Sequence, residues 1–257
     1  MKDPGVGVGV VDDSIEPTWS AAEERYAHVR ELLSGTRPPP ADLVELGAAP
    51  GAQCIALASL GYRVTAVDLG EASDEWGDGA GGSMASAFER AGVKLVFWDL
   101  DATPYPLDDE SFDLALMTEV LEHLREYPLQ SLVEVRRILR PGGFLVLTTP
   151  NSASLQNRIR LVFGKSVHTP LADWMFGLPH ARHAREYTAA ELGQLVMRAG
   201  LEIVRFDARH FYIRSGRQGR LAVAIKRALD VLAQVRPSLG PGLVVLARRP
   251  ETEANAS

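Results

Sequence analysis

This sequence has only one cysteine, no long apolar run and no excess of basic charge, and each of these shortages excludes a class of protein. The single cysteine, Cys54, excludes an intrachain disulfide and fits a reducing compartment, and we interpret it as a packing residue. No apolar run reaches the roughly 18 residues of a membrane span. The formal net charge of −6 argues against a general nucleic-acid binder. The 257 residues and the 46% hydrophobic content fit one large α/β domain.

Both ends of the chain are predicted to be disordered tails. Residues 1–13 are rich in Gly and Val without a basic region, so they do not resemble a signal peptide, and residues 251–257 are polar. A cytoplasmic location is therefore expected.

A turn of small residues carries the clearest functional signal. An apolar run over 43–46 leads into Gly47, the turn ends at Gly51, and a second apolar run stops at Asp68. Strand, tight turn, helix, strand and acid form the layout of a nucleotide-type cofactor site at the carboxyl edge of a parallel sheet. The glycines let a ligand lie against bare backbone, and the acid is placed to accept hydrogen bonds from ribose hydroxyls. This layout alone does not name the cofactor.

Apolar runs alternate with helical patterns along the chain, which predicts an α/β, doubly wound fold: a parallel sheet with helices on both faces. The expected strands are 43–46, 63–67, 94–98, 112–117, 144–148, 201–208 and 243–247. The expected helices are 19–33, 52–60, 84–91, 120–139 with a break near Pro128, 189–199 and a basic amphipathic helix over 215–236. We expect a mobile loop over 70–82 and a turn over 140–143.

Five segments between residues 42 and 149 resemble, in order and spacing, the class I S-adenosylmethionine-dependent methyltransferases. The segments are 45–51 (ELGAAPG), 66–69 (AVDL), 101–106 (DATPYP) ahead of 108–113 (DDESFD), 119–124 (EVLEHL) and 139–143 (LRPGG). The resemblance implies a Rossmann-like sheet of seven mostly parallel strands with an antiparallel last strand. It also implies S-adenosyl-L-methionine as the cofactor and S-adenosyl-L-homocysteine as its product.

The turn departs from the family pattern at two positions. Ala49 and Pro50 replace the commoner Gly and Thr or Ser. Pro50 suits the first turn of a helix but removes a backbone donor from an anion cradle, which a dinucleotide pyrophosphate needs more than a cofactor with one carboxylate. An NAD-dependent reductase, whose G-x-G-x-x-G is absent, is therefore disfavoured.

The resemblance assigns cofactor roles residue by residue. Glu45 would accept a hydrogen bond from the methionine amino group, and Asp68 would accept from the ribose hydroxyls. Asp101 would accept from the adenine amino group with the Ala102 amide beside it, and Asp99 is a rival for that role. The other expected contacts are Gly47, Ala48 and Gly51 in the turn, Leu69 after the second strand, and Thr118 and Glu119 after the fourth. Asp113 is expected to organise backbone near the fourth strand.

Methyl transfer from a sulfonium depends on positioning, and a hydroxyl acceptor also needs a base. His123 and His183 are the expected catalytic bases, and the alternative for His123 is a histidine that packs near the cofactor. Glu119, Glu122 and His123 would share one helix face, and some quinone O-methyltransferases with a similar run use a divalent ion there. Because the run is also common in metal-free relatives, no metal is predicted.

Residues 151–188 occupy the place of an acceptor-binding insertion in the family. Aromatic faces, histidines and other polar groups there suit a ligand pocket, but the aromatics stack equally well as core. These residues are Trp174, Met175, Phe176, His180, His183 and Tyr187. Residues 183–188 (HAREYT) resemble a pattern of methyltransferases from glycan and secondary-metabolite pathways. The helix over 215–236 is expected to pack on the sheet, with contact to an anionic lipid surface as the alternative.

The sequence thus predicts a methyltransferase that modifies a hydroxyl of a small molecule, sugar or natural product. Its parts are a tail and lid helix over 1–40, a cofactor-binding core over 41–150, the insertion over 151–188 and a C-terminal part over 189–257. The first helix either covers the cofactor turn as this lid or packs on the flank of the sheet. An N- or C-methyltransferase of secondary metabolism and a non-catalytic cofactor-binding subunit are the alternatives, and a homodimer is compatible with each.

Overall fold

A computed structural model describes residues 16–69, 80–176, 182–209, 211, 231, 233 and 235–251. The strands are β1 (Asp42–Leu46), β2 (Arg63–Asp68), β3 (Lys94–Phe97), β4 (Phe112–Thr118), β5 (Leu139–Pro150), β6 (Glu202–Arg209) and β7 (Gly242–Arg248). The α-helices are α1 (Glu16–Thr36), α2 (Ala52–Ser59), α3 (Ala80–Ala91), α4 (Pro128–Ile138), α5 (Leu155–Val162), α6 (Leu171–Phe176) and α7 (Ala189–Arg198). Short 3-10 helices span Leu121–His123 and Pro237–Leu239.

The seven strands form one sheet in the order β3-β2-β1-β4-β5-β7-β6. All pairs are parallel except those of β7, which runs antiparallel to both β5 and β6. The predicted α/β architecture with an antiparallel last strand is confirmed. The strand order reverses between β1 and β4, so the loops that follow these two strands leave in opposite directions and open a crevice at their carboxyl ends.

Helices cover both faces of the sheet, and all seven residues of β4 are buried as a result. Leu114 and Leu116 belong to a cluster with residues of α1, α2 and α3. Ala115 and Met117 point to the opposite face, where α4 and α7 cover them. The strand β4, whose carboxyl end borders the crevice, is therefore packed on both faces.

The first helix packs into the core and also reaches the crevice. Val29 and Leu33 are fully buried in the cluster that contains α2, so α1 packs on the flank of the sheet. Arg25, one turn earlier on the same helix, lies 3.9 Å from a carboxylate oxygen of Glu119 at the carboxyl end of β4. The two alternatives for α1, flank packing and proximity to the cofactor turn, are therefore compatible.

The prediction of a helix over 120–139 is wrong in its first half. The chain forms only a 3-10 turn at Leu121–His123 and then extends, and α4 begins at Pro128. Proline disfavours the helical conformation of the residue before it, and its missing N–H is tolerated at the first helical position. Pro128 therefore starts a helix and does not break one.

Two further local predictions need correction. Residues 140–143 were expected to form a turn before the fifth strand, yet they lie within β5, whose pairing to β4 shifts between Phe112 and Leu114. Gly143 allows this irregularity because a Cβ there would lie 2.9 Å from the Arg140 carbonyl oxygen. Pro50 does not occupy the first turn of α2 but precedes Gly51, the residue that caps this helix with φ 86°.

Several expectations lie outside the described residues. They concern the tails over 1–13 and 252–257, most of the loop over 70–82, His180 and most of the basic helix over 215–236. Among the helices that the structure describes, none has the length and apolar character to cross a membrane.

Candidate cofactor and acceptor site

The turn after β1 is held between β2 and the loop after β4. The amides of Gly47 and Ala48 both donate to the Val67 carbonyl, at 2.9 and 3.2 Å. Gly47 has φ 75°, and a Cβ there would lie 2.3 Å from a methyl carbon of Val120. The glycine is therefore required by the backbone conformation and by Val120, whether or not a ligand is bound.

Asp68 is the last residue of β2, and its side chain bonds to the turn that follows β1. Its Oδ2 accepts a hydrogen bond from the Ala49 amide at 2.6 Å, and the side chain is almost buried. Leu69 follows and is partly exposed beside it. The carboxylate predicted to bind ribose thus lies at the expected edge of the sheet and also fixes the turn, a second role that the sequence pattern did not predict.

Glu45 lies beneath the turn with 2% of its surface exposed. Gln53 Nε2 donates to its Oε1 at 2.8 Å, and Cys54 Sγ donates to its Oε2 at 2.9 Å. Burial raises the pKa of Glu45 to about 7, although these two hydrogen bonds oppose the shift. Cys54 is a buried packing residue, as predicted, but it also serves as a donor to a carboxylate of the site.

Glu119, directly after β4, adopts a strained backbone conformation with φ 57°. Its amide donates to the Thr148 carbonyl at 2.9 Å, and the Thr148 hydroxyl donates to its Oε1 at 2.9 Å. Arg25 approaches the other carboxylate oxygen. Thr118 is buried beside it. These contacts fix the direction in which the chain leaves β4.

The residues expected to contact adenine form hydrogen bonds with other residues of the chain. Asp101 Oδ1 accepts from the amides of Arg125 and Glu126 at 2.9 and 3.2 Å, so this carboxylate anchors the loop before α4. The Ala102 amide donates to the Asp99 carbonyl at 2.9 Å, and Asp99 Oδ1 accepts from the Asp101 amide at 2.9 Å. The choice between Asp99 and Asp101 as the adenine acceptor stays open as a prediction.

Asp113 lies at the opposite end of β4. Its Oδ2 accepts from the Asp42 amide at 2.9 Å, and its Oδ1 accepts from Arg37 at 2.8 Å. The prediction that this acid organises backbone is confirmed by these contacts.

The two histidines proposed as bases meet in space. The rings of His123 and His183 are 4.9 Å apart at 82°, an edge-on contact. The pairing arises because the Glu122 carbonyl accepts from the amides of Ala184 and Arg185, at 2.7 and 3.1 Å, and thereby ties the segment before α7 to the 3-10 turn.

Each of these histidines is oriented through Nδ1. His183 Nδ1 lies 2.9 Å from Glu186 Oε1, and His123 Nδ1 lies 3.2 Å from the Arg182 carbonyl oxygen. Both acceptors favour a proton on Nδ1, which leaves the lone pair on Nε2. Glu186, three residues after His183, was detectable from spacing alone but was not singled out.

Glu122 is completely buried beside the histidines. Its Oε2 accepts from the Thr149 hydroxyl at 2.9 Å, while Oε1 has no hydrogen-bond partner in the described part of the chain. Burial, with repulsion from Glu119, raises the pKa of Glu122 well above its ordinary value. The helical arrangement of Glu119 and Glu122 considered from sequence is wrong, because Glu122 lies in a 3-10 turn and Glu119 lies before that turn and engages Thr148.

The insertion after β5 exposes its aromatic residues. Trp174 is 50% exposed and Phe176 is 82% exposed, with Met175 between them also exposed, so the alternative of plain core packing is wrong for these three. Tyr187 is buried, and burial raises its pKa to about 12. The exposed group borders the histidine pair through Arg182, whose guanidinium lies 5.5 Å from the centre of the Trp174 ring.

Known proteins resemble both the sequence and the fold. The methyltransferase domain family matches residues 18–205. A probable S-adenosylmethionine-dependent methyltransferase of Mycolicibacterium smegmatis is 29% identical over 162 residues, 63% of this chain and 52% of that protein. A ubiquinone biosynthesis O-methyltransferase of Maricaulis maris is 30% identical over 154 residues, 59% of this chain and 54% of that protein. The chain thus spans about half the length of these curated relatives.

A solved structure agrees at the level of the fold. The N-methyltransferase NodS of Bradyrhizobium japonicum, in complex with S-adenosyl-L-homocysteine, superposes with a TM-score of 0.53 at 18% identity, over 90% of this chain and 88% of NodS. Since the family match covers nearly three quarters of the sequence and the sheet has the predicted seven, mostly parallel strands, the chain belongs to the methyltransferase domain family, among the S-adenosylmethionine-dependent methyltransferases.

Proposed function

We propose that this chain transfers the methyl group of S-adenosyl-L-methionine to a hydroxyl oxygen of a small-molecule, sugar or natural-product acceptor in the cytoplasm. The observation that carries the proposal is the His123–His183 pair, with His183 oriented by Glu186, beside the carboxyl ends of β4 and β5. A hydroxyl needs a proton acceptor at the moment of transfer, and this pair supplies one.

The cofactor would lie across the crevice between β1 and β4. Asp68 would accept from the ribose hydroxyls, Glu45 would face the methionine ammonium, and the Gly47 turn would pass beneath the cofactor. Arg25 brings a guanidinium to the same edge, close enough to Glu119 to reach a bound carboxylate as well. The helix that carries Arg25 thus covers the methionine end as a lid.

When bound, S-adenosyl-L-methionine would supply its methyl group to the acceptor oxygen and would leave as S-adenosyl-L-homocysteine. The hydroxyl proton passes to Nε2 of one histidine, where Glu186 stabilises the resulting imidazolium of His183 through Nδ1.

The surface around the histidines favours an acceptor with an apolar part. Trp174, Met175 and Phe176 provide this surface in the insertion. The name of the Maricaulis maris relative states O-methylation in ubiquinone biosynthesis, which supports transfer to oxygen. A role in secondary metabolism fits the motif at 183–188.

The test combines product identification with three histidine variants. Full-length protein is incubated with isotopically labelled cofactor and a metabolite extract, and the labelled product is identified by mass spectrometry. We expect an O-methyl product, and we expect His183→Ala to lower turnover by about 10²–10⁴-fold, the contribution of a general base.

The control is His168→Ala, which removes an exposed histidine elsewhere in the insertion. A labelled N- or C-methyl product whose formation survives His123→Ala and His183→Ala would establish the alternative acceptor chemistry. Cofactor binding without any labelled product across an acceptor panel would indicate a non-catalytic subunit.

A further inference from the structure

Three side chains from two distant segments converge beside the proposed acceptor site. One ligand atom each from Glu122, His123 and His183 lies within 4.8 Å of the other two. The convergence depends on the backbone hydrogen bonds from Ala184 and Arg185 to the Glu122 carbonyl, so it is built into the fold.

The buried carboxylate of this trio has one unsatisfied oxygen. Thr149 donates to Oε2 of Glu122, whereas Oε1 has no hydrogen-bond partner within the described residues and lies 4.0 Å from His123 Nε2. A fully buried carboxylate oxygen without a donor is costly, and a cation among these atoms would remove that cost.

The imidazoles present the right atoms to a cation. The acceptors at Nδ1 are a backbone carbonyl for His123 and the Glu186 carboxylate for His183. A carboxylate or carbonyl at one ring nitrogen is the usual outer partner of a metal-bound histidine, because it fixes the tautomer and strengthens the other nitrogen as a ligand.

We propose that Glu122, His123 and His183 bind one divalent transition-metal ion, with Zn²⁺ as the representative. Two imidazole nitrogens and one carboxylate oxygen favour this class over Mg²⁺ or Ca²⁺, which prefer oxygen ligands. Bond lengths of about 2.0–2.2 Å require ligand atoms roughly 3–4 Å apart, so the side chains need to close by about 1 Å. Both histidine side chains are nearly one-third exposed, which leaves room for further ligands.

The role of the ion rests on the proposed function, but its binding does not. In the ion-bound protein the two Nε2 atoms are ligands and do not accept a proton. The ion would instead polarise an acceptor hydroxyl on its open side, so that the proton passes to water, as in other enzymes that use a metal as a Lewis acid. No metal was predicted from sequence because the run that contains Glu119, Glu122 and His123 is also common in metal-free relatives. Glu119 instead engages Thr148 and Arg25, and His183 takes the third position.

The experiment measures Zn²⁺ binding to the full-length, chelator-treated protein by calorimetry, without cofactor or acceptor. We expect one equivalent with a micromolar or lower Kd. His123→Ala and His183→Ala should each weaken binding at least tenfold, and Glu186→Gln should weaken it by roughly 10–100-fold through the histidine it orients. His168→Ala should bind Zn²⁺ as the unaltered chain does.

S-adenosyl-L-homocysteine binding to each variant checks that it is folded. Glu122→Gln should also lose Zn²⁺ affinity, and if this buried substitution prevents folding, the two histidine variants decide. Absence of Zn²⁺ binding, or binding that is unchanged in both His→Ala variants, would overturn the proposal.

The two proposals fail separately. If His183→Ala abolishes methyl transfer but leaves Zn²⁺ affinity unchanged, the metal site is wrong and the histidine acts as a base. If Zn²⁺ binds through the trio but no acceptor is methylated, the metal site stands and the proposed transfer is wrong.

Discussion

At the residue scale, the carboxylates of the crevice have distinct environments. Glu45 is buried and receives hydrogen bonds from Gln53 and Cys54, whereas Asp68 holds a backbone amide at the rim. Burial penalises the charged form of Glu45 and raises its pKa to about 7. Ligand binding and proton binding should therefore be coupled at Glu45.

Cofactor binding should release a proton below neutral pH. Glu45 is mostly protonated at pH 6.5 in the free protein, because its pKa is about 7. The cofactor ammonium favours the ionised carboxylate and lowers that pKa, so the proton leaves. Calorimetry of S-adenosyl-L-homocysteine binding at pH 6.5, in buffers of different ionisation enthalpy, should give release of a large part of one proton.

The Glu45→Gln variant provides the control, since its side chain carries no titratable proton. At pH 8, where Glu45 is already mostly ionised, the unaltered protein should release fewer protons on cofactor binding than at pH 6.5. Proton uptake at pH 6.5, or equal release by the Gln variant, would contradict the contact between Glu45 and the ammonium.

Substitution of Asp68 by Ala should weaken cofactor binding by about 1–3 kcal/mol, the scale of unsatisfied buried hydroxyl partners. Part of this loss comes from the Ala49 amide, which loses its acceptor. Asp113→Asn is the control, because that acid lies at the opposite end of β4. A dissociation constant unchanged by Asp68→Ala, measured by calorimetry, would refute the ribose assignment.

At the element scale, the turn between β1 and α2 is a packed structure with its own stability. Gly47 belongs to the turn, and Val120, which follows β4 in the chain, fills the space where a Cβ would stand. The turn is therefore tied to the loop that carries Glu119 and Glu122.

Gly47→Ala should destabilise the fold more than Gly92→Ala does. Both glycines have positive φ, +75° and +70°, so each substitution costs about 1–2 kcal/mol of backbone strain. Only Gly47 has a neighbour in the way, since no atom lies within 4 Å of a Cβ at Gly92. Urea denaturation should show an additional loss for Gly47→Ala, typically about 1–3 kcal/mol for overpacking.

A double variant separates the two causes. Val120→Ala should recover part of the additional loss in the Gly47→Ala background, because it removes the overlapping methyl group. Equal destabilisation by Gly47→Ala and Gly92→Ala would show that the overlap with Val120 does not affect the free energy of unfolding.

At the scale of the whole molecule, α1 joins the N-terminal segment to the core. Leu33 is fully buried in the cluster on one face of the sheet, whereas Leu60 at the end of α2 is 54% exposed. A lid that opened freely would not share the core in this way. Any lid movement must therefore be confined to the part of the helix around Arg25.

Leu33→Ala should lower the free energy of unfolding by about 2–5 kcal/mol, the cost of a large cavity in a packed core. Leu60→Ala, the exposed control, should change it by no more than about 0.5 kcal/mol. Chemical denaturation followed by circular dichroism measures both. A negligible effect of Leu33→Ala would mean that α1 is detached from the folded core in solution.

Local patterns in the sequence predicted the strands, the order of the motifs and the edge at which Asp68 and Glu45 lie. These features depend on residues close together in the chain, where periodicity, glycines and acids report directly on backbone conformation. The helix expected over 120–127 failed because Pro128 disfavours a helical conformation of Tyr127 and starts α4, and only a 3-10 turn forms ahead of it.

Only the tertiary structure brought His183 to His123, Arg25 to Glu119 and Cys54 to Glu45 as a hydrogen-bond donor. The first two contacts join residues far apart in the sequence. The third joins neighbouring elements, but it depends on how α2 is oriented against β1. Such contacts follow from the packing of elements on a common sheet, and the spacing of residues along the chain carries no record of that packing.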